Sequence, residues 1–200
     1  MTIAAFPTAV HSLALCPKIL ARHNPGSRCN TVSDSKTLED EFWLYAGDMY
    51  ARDGVAAILL DWQDRWGANV NTVLLCLWSA NRGRCLAPGD FEAVAQAVAG
   101  WHAAAIVPLR RLRQRLKVEW TGLAPNVEPT RQAILASELQ AERSEQAIMV
   151  HTLSPWSARV DLADEGLARQ NLLTYLKNAD VVTEAGAGAE AVAALLARIG

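Results

Sequence analysis

The sequence predicts an all-α protein, a compact helical bundle of about five to seven helices, on three observations. Apolar residues recur at helical spacing in one segment after another. No region alternates with a period of two over more than a few residues. Capping residues and glycine stops fall where the periodic segments begin and end. The composition suits a core of ordinary size: 200 residues, 51% hydrophobic and 20% charged. A chain of this length buries roughly 70% of the surface its unfolded form exposes, so a core needs no staples.

Order is expected to begin near Thr37, where T-L-E-D has the shape of a capping box with Asp40 in the place usually held by Glu. Residues 1–36 read as a poorly ordered extension; their four basic residues against the single acid Asp34 are faintly transit-peptide-like, and a misassigned start is the plainer account. Leu38, Phe42, Tyr45, Ala46 and Met49 carry helix one through Arg52. Asp53-Gly54 marks a turn, with Asp53 placed to cap helix two. Helix two, Val55 to Trp66, lines up Val55, Ile58, Leu59, Trp62 and Trp66. At 100° per residue Asp64 points away from that stripe, Asp61 lies to one side and Gln63 sits at the border. Gly67 supplies a left-handed stop.

Helix three opens at Asn69 or Asn71, both able to satisfy free N–H groups. Val70, Val73, Leu74, Leu77 and Trp78 line one face, and Leu75 and Cys76 widen it. So wide an apolar surface predicts a central helix covered on several sides. Gly83 ends it. Helix four begins near Pro88 or Asp90 and carries Phe91, Val94, Ala95, Val98 and Trp101. Pro108 is expected to break or kink it, since it lacks a donor and crowds the preceding turn. Helix five follows with Leu109, Leu112 and Leu116 on one face and basic residues around the rest.

T-G-L-A-P-N-V-E-P-T, from Thr121 to Thr130, reads as the internal boundary. Residues 37–120 are therefore the expected helical core, with 121–200 as C-terminal helices packed on it or extending from it. Beyond the boundary, Pro129 opens a helix to about Met149 with Ile134, Leu135, Leu139 and Ile148. L-S-P-W-S makes a break. Leu162, Leu167, Leu172, Leu173 and Leu176 make a further helix, and Thr183 to Ile199 a last, alanine-rich one.

Charge and cysteine content narrow the function classes. A net charge of −2 argues against a general nucleic-acid binder. Cys16, Cys29, Cys76 and Cys85 show neither C-x-x-C spacing nor a histidine partner pattern, so no metal is expected. Cys76, inside V-L-L-C-L-W, reads as a small buried hydrophobe. No window approaches 18 consecutive apolar residues, so no membrane span is expected. A reducing cytoplasm fits best.

Two polar groups are the candidate sites. Asp61, Gln63, Asp64, Asn69 and Asn71 surround the corner between helices two and three. Acids three apart share a helix face, and with Asp48 opposite they would suit Mg²⁺ and a diphosphate, as in helical prenyl-transferring enzymes. The plainer reading makes them solvated groups or ion-pair partners of helix five, with Asn69 and Asn71 as caps rather than an anion site. The second group is the basic face Arg110, Arg111, Arg113, Arg115 and Lys117 within residues 109–117. It pairs with Asp48, Asp61 or Asp64, in the favoured reading, or meets an anionic partner such as nucleic acid. Trp62, Trp66, Trp78 and Trp101 are expected to anchor the core. Trp43 faces another side of helix one, where exposure would mark a partner surface. His102 and His151 have no serine, cysteine or acid at suggestive spacing, and neither is assigned catalysis.

From Phe42 to about Lys117 the chain resembles a family of short bacterial proteins grouped as a domain of unknown function. The shared pieces are F-W-L-Y-A at Phe42, G-V-A at Gly54, Q-D-R-W-G-A-N-V-N at Gln63, L-L-C-L-W ending at Trp78, Trp101, and V-P-L-R-R-L-R-Q-R-L-K ending at Lys117. The family commonly has aspartate where this chain has Asn69, which weakens any role for an acid there. The resemblance implies no activity and no cofactor. The leading expectation is a non-enzymatic cytoplasmic protein-interaction module with an unidentified protein partner. The alternatives are a small-molecule or phosphate/diphosphate site between helices two, three and five, and nucleic-acid contact through helix five.

Overall fold

The structure is a computed structural model that describes residues 33–156, 165–179 and 186–200. Its helices are α1 (Ser33–Tyr50), α2 (Val55–Trp66), α3 (Val70–Asn81), α4 (Pro88–Trp101), α5 (Val107–Glu119), α6 (Ala124–Thr152), α7 (Glu165–Asn178) and α8 (Ala187–Ile199). A π-turn, His102–Ile106, joins α4 to α5 without a break, so the eight segments make seven rods. There is no strand among the described residues. The expected extension lies outside the described residues as far as residue 32, as do Leu162 and Thr183.

α3 is the hub. Every residue from Val70 to Ala80 is buried, with α1, α2, α6 and α7 packed around it. Burying each large side chain there is worth about 1.5–3 kcal/mol, which makes α3 the main apolar anchor. Phe42 of α1 stacks on Trp78 with ring centroids 4.9 Å apart, and Trp156 closes the other side at 4.6 Å. The Trp78 indole N–H donates to Glu41, which also accepts two bonds from Arg82 at the α3 C-terminus. Asn171 of α7 secures the next connection, donating to the Cys76 and Arg84 carbonyls and accepting from the Leu86 N–H. α6, at 29 residues and 1.5 Å each about 43 Å long, packs against α1, α3, α4, α5 and the π-turn. α6 to α8 contribute Leu139, Met149, Leu172 and Val192 to the same core as α1 to α3. The corner at residue 120 therefore does not separate two packing units.

Several boundaries differ from expectation for identifiable reasons. α1 starts at Ser33, one turn early, so Thr37 lies inside the helix, and Asp40 instead meets Arg143 of α6 at 2.5 Å. Gly54, at φ +76°, precedes α2, and no side chain caps it, Asp53 included. Pro108 does not interrupt the α4–α5 rod. One extra residue in the preceding turn lets the Val107 N–H reach the His102 carbonyl, a widening that relieves the crowding by the proline ring. The boundary at residue 121 shrinks to a 3₁₀ turn, Thr121–Leu123, and α6 begins at Ala124, taking Pro129 within it. Trp101 does not join the tryptophan core. It is 39% exposed, with its N–H donating to the Ala141 carbonyl. Trp62 and Trp78 are buried, and Trp66 is partly so.

Candidate functional site

α6 carries Glu138, Glu142 and Glu145 at spacing i, i+4, i+7, which puts three carboxyls on one face. That face is the buried one: Glu138 and Glu145 are fully enclosed and Glu142 is 5% exposed. Isolated carboxylates at such depth are very costly, so each needs partners. α5 supplies them, because the tight turn folds it back along α6 as an αα-hairpin. Arg113 grips Glu138 with two bonds, Nε to Oε2 at 2.6 Å and a terminal nitrogen to Oε1 at 3.2 Å. Arg110 spreads its three nitrogens over Glu138 (3.1 Å), Glu142 (2.9 Å) and the side-chain amide oxygen of Gln63 of α2 (2.9 Å).

Glu145 is held by the other side of the bundle. The π-turn brings His102 Nδ1 to 2.7 Å from Glu145 Oε1. Asn71, in the first turn of α3, donates its amide to Glu145 Oε2 at 2.6 Å. Asn69 caps α3, its Oδ1 accepting from the Asn71 and Thr72 N–H groups, and its amide reaches toward Glu145 at 3.4 Å. Its own N–H donates to the Tyr175 hydroxyl of α7 at 2.8 Å, and burial pushes that phenol up to about 12. Gln146 donates to Asn71 Oδ1 at 2.8 Å, while its own buried Oε1 has no hydrogen-bond partner among the described residues.

These groups enclose a cavity of about 100 Å³. Its charged and titratable wall is Arg110, His102, Glu142 and Glu145; Gln63, Asn69 and Asn71 supply neutral polar edges. Arg110 and Arg113 pair with Glu138 and Glu142, and His102 pairs with Glu145. Burial is the largest cause of the shift of Glu142 up to about 8; Glu138 and Glu145 add to the rise, and Arg110 only partly opposes it. Glu142 Oε1 accepts from Arg110. No group of three or more His, Cys, Asp or Glu among the described residues is placed to hold a metal ion.

The candidate residues read from the sequence thus divide. Gln63, Asn69, Asn71 and Arg110 meet in the cavity wall, and Arg113 lies just behind it. Asp61 and Asp64 are exposed, and Asp61 faces Arg65 one turn on. Asp48 is also exposed, beside a wider open groove of about 520 Å³ remote from this cavity. The helix-five arginines do make an internal lock, but with α6 rather than with the acids of α1 and α2. Arg115 pairs with Glu119 on its own helix, and Arg111 and Lys117 are exposed. Trp43 is half-buried under the Arg143 guanidinium, 5.8 Å from its ring centre. Glu138, Glu142 and Glu145 escaped the sequence reading, which weighed His102 and assigned it no catalytic role. Their signal was present, since three acids fall on the same helical phase as Leu135, Leu139 and Met149.

Fold and site together define an all-helical protein with a charged network buried at the junction of its helices. The chain belongs to the family described as protein of unknown function (DUF2390), whose profile matches residues 41–149. That span holds every residue of the network except Tyr175. No curated protein and no solved structure matches the chain. No described helix is long and apolar enough to cross a membrane.

Proposed function

We propose that the chain is a small-ligand-binding helical protein, with its site in the polar cavity between α2, α3, the π-turn, α5 and α6. The observation that carries this reading is the wall itself: buried charged side chains from separate helices converge on space rather than only on one another. Structural ion pairs alone are well served by close packing, and buried charge is often replaceable by apolar groups without loss. About 100 Å³ is the share of roughly three waters, so the occupant is small. Carboxyls in the wall oppose the phosphate and diphosphate version of this reading. The test is an NMR titration with ammonium, methylammonium, acetate and phosphate at matched ionic strength. Saturable shifts of the Asn69 and Asn71 side-chain amides support the reading. No saturable shift with any of the four counts against it.

A protein-interaction module is the second reading, favoured by a specific surface. Leu112, Val118, Trp120 and Leu123 are exposed around the α5–α6 corner, beside the exposed Arg111 and Lys117. Apolar and basic groups together suit an acidic amphipathic segment of another protein. Titrating such a peptide against the Trp120 indole N–H signal tests it, with no change as the adverse result. Nucleic-acid contact is less well supported, because Arg110 and Arg113 are spent inside the molecule. Cytoplasmic residence belongs to the same proposal, resting on the unpaired Cys76 and Cys85.

A further inference from the structure

We infer that α5 carries a docking stripe for an acidic amphipathic helix, which lies along the α5–α6 hairpin and completes it as a three-helix layer. This partner is the acidic segment of the protein-interaction reading above, on which the inference rests, given a form and a line of contact.

The hairpin is thinly covered for its length. From Val107 to Ser137 only one described side chain is buried, and that is Arg113. α5 packs chiefly on α6 and otherwise on the turns at its own ends. Helices of this kind draw their stability from covering an apolar face, and two helices in contact cover one seam. The uncovered apolar side chains form a row. Leu109, Leu112, Leu116 and Trp120 follow at steps of three, four and four, and Leu123 extends the row by three more. At 100° per residue the first four fall within an arc of about 80°, beside Arg113, which marks the α6 side. Val118 points the other way and is no part of it. Leu109 and Leu116 are half-buried, whereas Leu112 and Trp120 are 43% and 47% exposed. The row is therefore ridged, with hollows that take side chains of a third helix at i, i+3 or i+4, and i+7. It runs about 21 Å, roughly four helical turns.

Charge names the occupant. Arg111 and Arg115 border the row on its solvent side, and Lys117 adds a third cation near the corner; all three are exposed. Glu119 answers only Arg115. Arg110 and Arg113, on the α6 side, are taken by Glu138 and Glu142. A partner helix with acids along one flank of its apolar face meets Arg111 and Arg115 while that face covers the row. A second copy fits worse. It brings the same cations, and in the antiparallel arrangement one arginine border faces the other.

Two synthetic peptides, each about as long as the row, test this on the full chain. They share leucines at i, i+3, i+7 and i+10, and one flank carries glutamate in the first and lysine in the second. The glutamate peptide is expected to gain helix by circular dichroism on binding. It is also expected to shift the methyl signals of Leu109, Leu112 and Leu116 saturably, together with the Trp120 indole N–H. The lysine peptide is expected to bind at least tenfold more weakly. Leu112→Ser, a change at an exposed position, is expected to weaken the glutamate peptide at least tenfold. Shifts confined to Trp120 and Leu123, or binding without a gain of helix, overturn this inference and leave an acidic segment at the corner standing. Equal binding of the two peptides overturns it. Sedimentation as a dimer that Leu112→Ser breaks assigns the row to a second copy and overturns it. Shifts with phosphatidylglycerol vesicles but not with the glutamate peptide assign it to an anionic lipid surface, with the same consequence. No shift with any of these probes removes both this inference and the reading it rests on.

Discussion

His102 Nδ1 lies 2.7 Å from Glu145 Oε1, a contact between a π-turn and the fully buried face of a long helix. The pairing depends on the extra residue that Pro108 draws into the helix, because that residue resets the direction of the His102 side chain relative to α4. Backbone irregularity and buried charge are thus one device: the turn delivers the imidazole, and α6 delivers the carboxyl. The same helix face, one and two turns earlier, takes up the two arginines of α5.

Losing Glu138 is the most damaging single change expected in this network. It receives three bonds from two guanidinium groups and is fully enclosed. Glu138→Ala should cost about 3–5 kcal/mol, since Arg113 is then left buried without a partner. Glu119→Ala, which removes the exposed partner of Arg115, should change stability by under about 0.5 kcal/mol. Urea unfolding of the two variants gives the comparison, and equal losses would refute the assignment.

The pH dependence has a definite sign. Glu142 is raised from 4.5 to about 8 in the folded protein, so the folded state holds a proton that the unfolded state has released. Its contribution to stability is complete below about 4.5 and is lost as pH rises toward about 8. The slope approaches 1.4 kcal/mol per pH unit at most, roughly. Glu128, half-buried and lowered to about 2 by Arg131, works in the opposite direction but outside this window. Unfolding free energies at pH 5, 6, 7 and 8 should therefore fall more steeply for wild type than for Glu142→Gln.

Asn69 serves two partners, the α3 N-terminus and Glu145. Asn69→Ala should cost about 1 kcal/mol from the cap alone. Asn69→Asp keeps the cap but turns a donor toward Glu145 into a second negative charge. That variant should lose stability relative to wild type at pH 8 and recover it at pH 5. No pH dependence in the difference would show that the 3.4 Å contact is inert.

Gly67 holds the α2 stop at φ +68°, and a Cβ there would meet nothing within 4 Å. Gly67→Ala should then cost only the conformational term, about 1 kcal/mol, while Gly67→Asn costs less because asparagine tolerates that region. Denaturant midpoints of the two variants check the ordering.

Much of this architecture is legible in the sequence because it rests on periodicity. The stripe from Val55 to Trp66 ends at Gly67 as read, and the breadth of apolar residues on α3 announced its central place. Asn69 was recognisable as a cap from residue type and position. The partner of the arginines was not. A carboxylate in sequence reads as solvated, and only the fold reveals that residues 138, 142 and 145 face inward. Trp101 misled for the mirror reason: its helical phase suits the core, but the π-turn that follows shifts the packing, and its ring stays at the rim. Burial of charge is a property of two helices together, and single-helix phase cannot supply it.

Carboxyl carbon-13 NMR titration of Glu142 tests the account of the buried network most directly. The account predicts a midpoint near 8. A midpoint in the ordinary glutamate range would contradict it.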